Sequence, residues 1–465
     1  MTDIGNHRAS GASWDSLKRA LVLAFHYFAL KLRLMSLQSS IPLPHIVVLG
    51  AGFAGLAFCK KFPSRQAKIT VVDRQNHHLF QPLLYQVATA GLAAPDIAQP
   101  IRGITSGLPN VTVLMAEVIA IDLNAKTVRL DHGDLTYDYL LIGLGGITSY
   151  FGHDEWARYA PGLKSLDDAL LIRRNILLAF ERAETEFDAE KQRELLTTVV
   201  IGGGPTGVEL AGAFSELART ALKRDFNRID PTRSRVVLVE GADRILLQFP
   251  PDLSASARRQ LEAIGVEVKT STKVKEIKAN EVVFVDGSSL RAGNIIWGAG
   301  VSAVGLTKSL GVELDRAGRI KVSPDCSLPG HSDAFAVGDI ASLVDKNGKT
   351  VPGVSPAAMQ MAEHVAKILE VELRKERAPS ADRPAFAYWD KGSMATIGRS
   401  AAVAMVGRFK FSGFVAWMAW LSVHLIFLVG FRNRFSVLIQ WTYSYFTYKR
   451  GARIITGCTT DPRSN

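Results

Sequence analysis

Two stretches of this 465-residue chain repeat one pattern: V-V-L-G-A-G-F-A-G, closing at Gly55, and V-V-I-G-G-G-P-T-G, closing at Gly207. In each, a short β-branched run meets G-x-G-x-x-G and continues into an apolar, alanine-rich segment of helical character. Few folds accept that pattern, because a strand must turn sharply into a helix and leave its backbone open to close approach. Gly50 and Gly202 permit the turn. Gly52 and Gly204 let the backbone approach a pyrophosphate held by the helix N-terminus, and Gly55 and Gly207 let helix and strand pack. One such motif is weak evidence. Two of them, each followed by an acid at a strand end, point to two dinucleotides in one chain.

The acids are Asp73, which closes K-I-T-V-V-D 23 residues beyond Gly50, and Glu240, which closes R-V-V-L-V-E 38 residues beyond Gly202. The usual spacing is about 20 residues, so the second unit needs a longer helix or loop. A carboxylate here accepts hydrogen bonds from ribose hydroxyls and repels a 2′-phosphate, which makes NADH the expected partner of Glu240. The alternative for each acid is a surface group that merely ends a strand.

The length suits about three domains. Lys and Arg total 55 against 44 Asp and Glu, a net charge of +11. From Ala401 onward eight basic residues face one acid, Asp461, so +7 of the +11 sits in the last 65 residues. A basic tail binds nucleic acid or an anionic lipid surface. The three cysteines, Cys59, Cys326 and Cys458, form no C-x-x-C. Their separation argues against a disulfide framework, a metal site and a dithiol redox centre.

Taken in order, residues 1–44 read as an amphipathic extension around the apolar decamer Leu21–Leu30. Residues 45–170 form the first part of a nucleotide domain. Within it Asn76–Leu92, N-H-H-L-F-Q-P-L-L-Y-Q-V-A-T-A-G-L, mixes aromatic and amide groups in a way no ordinary linker does. Residues 171–319 form the second nucleotide domain, and 320–400 resume the first through D-A-F-A-V-G-D, ending at Asp339. Residues 401–465 are the candidate membrane-associating region. The expected fold is α/β, two Rossmann-type domains of the two-dinucleotide flavoprotein reductase kind, followed by amphipathic helices.

These motifs together, with M-Q-M-A-E-H at Met359–His364, K-G-S-M-A-T-I-G-R and the tail's F-R-N-R and R-G-A-R-I-I-T-G, closely resemble the type II NADH dehydrogenases. That family comprises single-chain NADH:quinone oxidoreductases with FAD that lie on membranes and pump no protons. The resemblance covers roughly residues 45–455. It implies FAD in the first unit, NADH in the second, and a membrane quinone, ubiquinone or menaquinone, as acceptor. Gly338-Asp339 would meet the flavin's ribityl–phosphate portion. The following helix would point its N-terminus, equivalent to roughly +0.5 charge, at the flavin's pyrimidine edge. Glu209 would stand at the nicotinamide–flavin junction and handle protons, and Lys391 would lie near the quinone. Gln360 and His364, spaced i, i+4, share a helix face beside methionines and would meet the quinone carbonyls. The chain departs from the family at Gly143-Leu144-Gly145, where Ala-Thr-Gly is usual, and at His364, where a second Gln is usual. The resemblance is compatible with a homodimer.

Two rivals are a sulfide:quinone oxidoreductase, which needs a redox cysteine pair, and a non-catalytic nucleotide-binding sensor at the membrane. The tail decides against nucleic acid. Thirteen aromatics lie between Phe409 and Tyr448, and Gly413–Gly430 is an uncharged apolar run of 18 residues, just inside spanning length. A single span would carry the later basic residues to the far side, against the positive-inside tendency. The reading is therefore monotopic, on the cytoplasmic face of the inner membrane, with Trp441, Tyr443, Tyr445 and Tyr448 as interfacial rings.

Overall fold

A computed structural model describes residues 43–374, 382–428, 430–447 and 452–455; the expected N-terminal extension lies outside these but for its last two residues. The first β-branched run becomes β1 (His45–Leu49), the glycine turn leads into α1 (Phe53–Lys61), and β2 (Lys68–Asp73) returns alongside β1. Short α2 (Leu84–Ala88) lies within the aromatic–amide stretch, and β3 (Val111–Met115) and β4 (Tyr139–Ile142) complete the first pass. Such continuous hydrophobic strands suit a parallel sheet covered on both faces. Ile46, Val47, Val48 and Leu49 are all fully buried.

Helix α3 (Leu166–Thr185), capped by the Ser165 side chain on the Asp168 N–H, carries the chain to the second unit. There β5 (Thr197–Ile201), α4 (Pro205–Glu216), β6 (Arg235–Val239), α5 (Pro251–Ala263), β7 (Val266–Lys269) and β8 (Asn294–Trp297) repeat the scheme. The sheet order is β7-β6-β5-β8, all parallel. A π turn, Leu217–Ala221, extends α4 and a 3-10 turn precedes β6. These account for the longer interval to Glu240. The chain then returns. β9 (Ser327–Leu328) and β10 (His331–Ala336) join the first sheet, whose order is β9-β10-β4-β1-β2-β3, and α6 (Ser355–Arg374) packs against α1. The first sheet is thus interrupted by the second and resumed.

A small antiparallel sheet comes next, β11 (Ser393–Thr396), β12 (Ala402–Val406) and β13 (Phe409–Ser412), and then α7 (Phe414–Phe427) and α8 (Phe431–Thr447). The long apolar run is therefore broken: α7 has 14 residues, about 21 Å of helix against a hydrocarbon core of about 30 Å. No helix among the described residues is long and apolar enough to cross a membrane. One side of α8 is polar and docks on the segment that holds Gln86, Pro95 and Asp96. Ser436 Oγ and Gln440 Nε2 donate to the buried Asp96 carboxylate at 3.0 and 2.9 Å, and Asn433 Nδ2 donates to Pro95 O at 3.1 Å. The expected row of interfacial rings needs correction accordingly. Trp441 donates to Gln86 Oε1 at 2.8 Å, and Tyr445 stacks on Trp417 beneath the Arg399 guanidinium. Both turn inward because i, i+4 positions share a helix face. Tyr443, off that stripe, is exposed with Phe435, Leu438 and Ile439. Tyr448 lies outside the described residues.

Candidate functional site

The first glycine turn and the start of α4, just past the second turn, open on one cleft of about 2150 Å³, roughly twice the upper range for a single small-molecule site. The glycines divide their roles in the same way in each unit. A Cβ on Gly55 would lie 1.9 Å from Gly50 O, and one on Gly207 would lie 1.8 Å from Gly202 O, so these positions exclude any side chain. Gly50 and Gly202 sit at φ +95° and +109°, where L residues are strained. Gly52 and Gly204 have nothing within 4 Å of such a Cβ and leave the cradle open. Each is also the N-cap of its helix, α1 or α4, with no side-chain cap and no acid in the first turn. The free N–H groups and the helix dipole therefore face whatever anion enters, which fits a pyrophosphate twice over.

The acids sit where expected and make the same contacts. Asp73 accepts from the Ala51 N–H at 2.7 Å and the Gln75 N–H at 2.8 Å. Glu240 accepts from the Gly203 N–H at 2.6 Å and the Ala242 N–H at 2.8 Å. Buried His78 adds a brace that no motif announces, with Nδ1 3.1 Å from Ala51 O. Burial pushes its pKa down to about 4, so it braces as a neutral ring.

Gly338, at φ +78°, and Asp339 lie across the cleft beside the N-terminal turn of α6. That turn contains no acid, and Val354, Ser355 and Pro356 line the cleft there. Lys164 reaches toward Asp339, with Nζ 3.9 Å from Oδ2. Glu209, on α4, opens on the same cleft. Its nearest donor is the Thr396 N–H at 3.5 Å, and desolvation outweighs that contact, so its carboxyl is pushed up to about 8.

Gln360 and His364 do share a helix face, but it is not the face that lines the cleft. Gln360 Nε2 donates to Trp389 O and its Oε1 accepts from the Trp389 N–H, both at 3.0 Å. His364 Nε2 lies 2.9 Å from Pro384 O, and its ring meets Phe386 edge-on. Both residues fasten the segment from Pro384 to Trp389 onto α6. The cleft-lining pair is Met359 and Glu363, one residue earlier and also i, i+4. A shift of one residue turns a helix by about 100°, so the stripe was legible but its phase was not. Lys391 does line the cleft, with Nζ 5.6 Å from the Trp389 ring centre and 5.2 Å from that of Phe427. The wall beside it comes from α7 through Val423, His424, Ile426 and Phe427.

Residues 44–362 match the family described as pyridine nucleotide-disulphide oxidoreductase, and residues 390–449 match the NDH2 C-terminal domain. The chain is 42% identical to the type II NADH:quinone oxidoreductase Ndh of Mycobacterium tuberculosis over 423 residues, 88% of this chain and 90% of that one. It is also 42% identical to NdhA of the same organism, covering 88% and 89%. Its fold superposes on NDH2 of Plasmodium falciparum in complex with NADH with a TM-score of 0.80, at 19% identity, covering 89% of this chain and all of that one. This chain belongs to the type II NADH:quinone oxidoreductases. As a member of that family it is a flavoenzyme with FAD as resident cofactor and NADH as reductant, and the two glycine cradles fit those two groups. The sulfide:quinone alternative fares worse on geometry. Cys59 and Cys326 are both buried, and neither lines the cleft.

Proposed function

We propose that the cleft joins three binding regions in one reaction path: FAD across β1, β10 and α6, NADH against α4, and quinone against α7. One observation carries this reading. The first glycine turn, the N-terminal part of α4 (Pro205, Thr206, Glu209) and the apolar wall of α7 line a single continuous cleft. FAD held there would supply the redox chemistry that links nicotinamide oxidation to quinone reduction. This chain's residues do the positioning. Gly52 and Gly204 admit the pyrophosphates, and Asp73 and Glu240 order the two turns while presenting carboxylates to the riboses. Asp339 and the α6 N-terminus face the flavin's polar side. Glu209, with its carboxyl near neutral pH, holds a proton close to the nicotinamide–flavin junction. Lys391, Met359 and Glu363 line the acceptor side, and Val423, Ile426 and Phe427 admit an apolar quinone.

The exposed apolar face of α8, with Phe435, Leu438 and Ile439, and the basic excess of the tail support monotopic seating on an anionic leaflet. NADH supply places that leaflet on the cytoplasmic side of the inner membrane. The FAD-loaded protein bound to quinone-containing vesicles of mixed neutral and anionic lipid should oxidise NADH in proportion to quinone reduced. NADH oxidation that ignores added quinone would overturn the assignment of α7 as the acceptor wall.

A further inference from the structure

His424 interrupts the apolar wall of α7. Its imidazole stacks on Trp420 with 4.2 Å between ring centres, and Phe80 meets it edge-on at 6.3 Å. Nδ1 lies 2.8 Å from Trp420 O, and a carbonyl only accepts, so Nδ1 carries the hydrogen. Nε2 of the neutral ring is then a bare acceptor, and no described residue pairs with it. Burial keeps the ring neutral by pushing its pKa down to about 4. The other polar side chain of α7, Ser422, is satisfied by its own helix through Met418 O at 3.0 Å. His424 alone on this helix thus offers the cleft an unmatched lone pair. His424 is half-buried and lines the cleft, so a donor that enters and displaces water from this apolar wall gains by meeting the lone pair.

The two redox forms of a quinone differ in this respect. The oxidised form presents two carbonyl acceptors and no O–H, whereas the reduced form presents two O–H donors. We infer that His424 Nε2 accepts a hydroxyl hydrogen from the reduced quinone, so that this wall binds quinol in preference to quinone. The inference rests on the quinone placement proposed above. In the overall reaction NADH, one proton and quinone yield NAD⁺ and quinol. Two electrons and two protons reach the quinone oxygens, and His424 neither gains nor loses a proton. A contact made only with the reduced form favours reduction at the site and slows departure of the product.

The test compares the inhibition constant of a short-chain quinol with the KM of the matching quinone, on the FAD-loaded full-length protein. His424→Phe keeps an aromatic ring against Trp420 but removes the acceptor, and should weaken quinol inhibition about 3–10-fold while changing the quinone KM by a clearly smaller factor. His424→Gln, which restores an acceptor oxygen, should recover most of the difference. On the unaltered protein, the dimethyl ether of the same quinol has no O–H and should inhibit more weakly than the quinol by a similar factor. Parallel changes in both constants would reduce His424 to a wall residue and overturn the inference alone. No change in either constant, with the ether binding as tightly as the quinol, would remove the quinone from this wall and overturn the placement as well.

Discussion

Glu240 Oε2 accepts the Gly203 N–H at 2.6 Å, which ties the acid at the end of β6 to the glycine turn at the end of β5. Asp73 and Ala51 form the same pair in the first unit at 2.7 Å. Each acid therefore shapes the turn that receives the pyrophosphate, besides presenting a carboxylate to the ribose.

Glu240→Gln should narrow the gap in kcat/KM between NADH and NADPH, chiefly by lowering the value for NADH. The amide has one acceptor oxygen for two N–H donors, at Gly203 and Ala242, and turns an NH₂ toward one of them. Steady-state kinetics with both nucleotides measure this. An unchanged ratio would show that Glu240 serves the turn and does not read the ribose.

Glu209 predicts a pH dependence of stability. Its carboxyl titrates near 8 in the folded chain and near the ordinary 4.5 when unfolded, so between these values the folded state holds a proton that the unfolded state has lost. The contribution of Glu209 is therefore fully present below about pH 4.5 and is lost as pH rises through about 8. Thermal melts at pH 5, 7 and 9 should show Glu209→Gln gaining on the unaltered protein as pH rises. Parallel melting curves across that range would refute the raised pKa.

Gln360→Ala should act on the Pro384–Trp389 segment before it acts on quinone. It removes two hydrogen bonds to the Trp389 backbone, about 1–3 kcal/mol together. Hydrogen exchange should rise in that segment, and Tm should fall. Glu363→Gln should instead change the quinone KM with little effect on Tm, because its side chain lines the cleft. Reversal of these two outcomes would place Gln360 at the acceptor.

Arg383 anchors the same segment from beneath. Its guanidinium is buried, bonded to both oxygens of Glu372 at 2.7 and 2.9 Å and to Asp325 Oδ2 at 3.1 Å. Arg383→Met should cost about 3–5 kcal/mol, because it strands two acids without their cation. Urea unfolding measures the loss, and a change below about 1 kcal/mol would mean that water replaces the arginine.

Membrane seating is best tested by point substitution. Removing everything after Ser400 would strip buried Trp420, Leu428 and Val437 from the core. Phe435→Ser with Ile439→Ser alters only the exposed face of α8. This variant should leave vesicles at moderate salt and keep turnover with a soluble acceptor. Retention on the vesicles equal to that of the unaltered protein would show that α8 is not the anchor.

The two-unit architecture was legible in the chain before any packing is known, because glycine spacing is a steric requirement local to each turn. The β-branched runs and the acids at Asp73 and Glu240 were legible for the same reason, since each depends on neighbours within one supersecondary unit, whereas the return through Gly338-Asp339, which pairs β10 with the distant β4, was legible through the family resemblance. Which side of each late helix does what was settled by packing alone. On α6, Gln360 and His364 face the segment held by Arg383, whereas Met359 and Glu363 face the cleft, and a phase difference of one residue separates them. On α8, Trp441 and Tyr445 turn inward because Gln86, Arg399 and Trp417 wait there, contributed by parts of the chain distant in sequence. A helix's periodicity shows that it has two faces. Only the partner it packs against selects which of them is buried, and that partner is brought there by the fold.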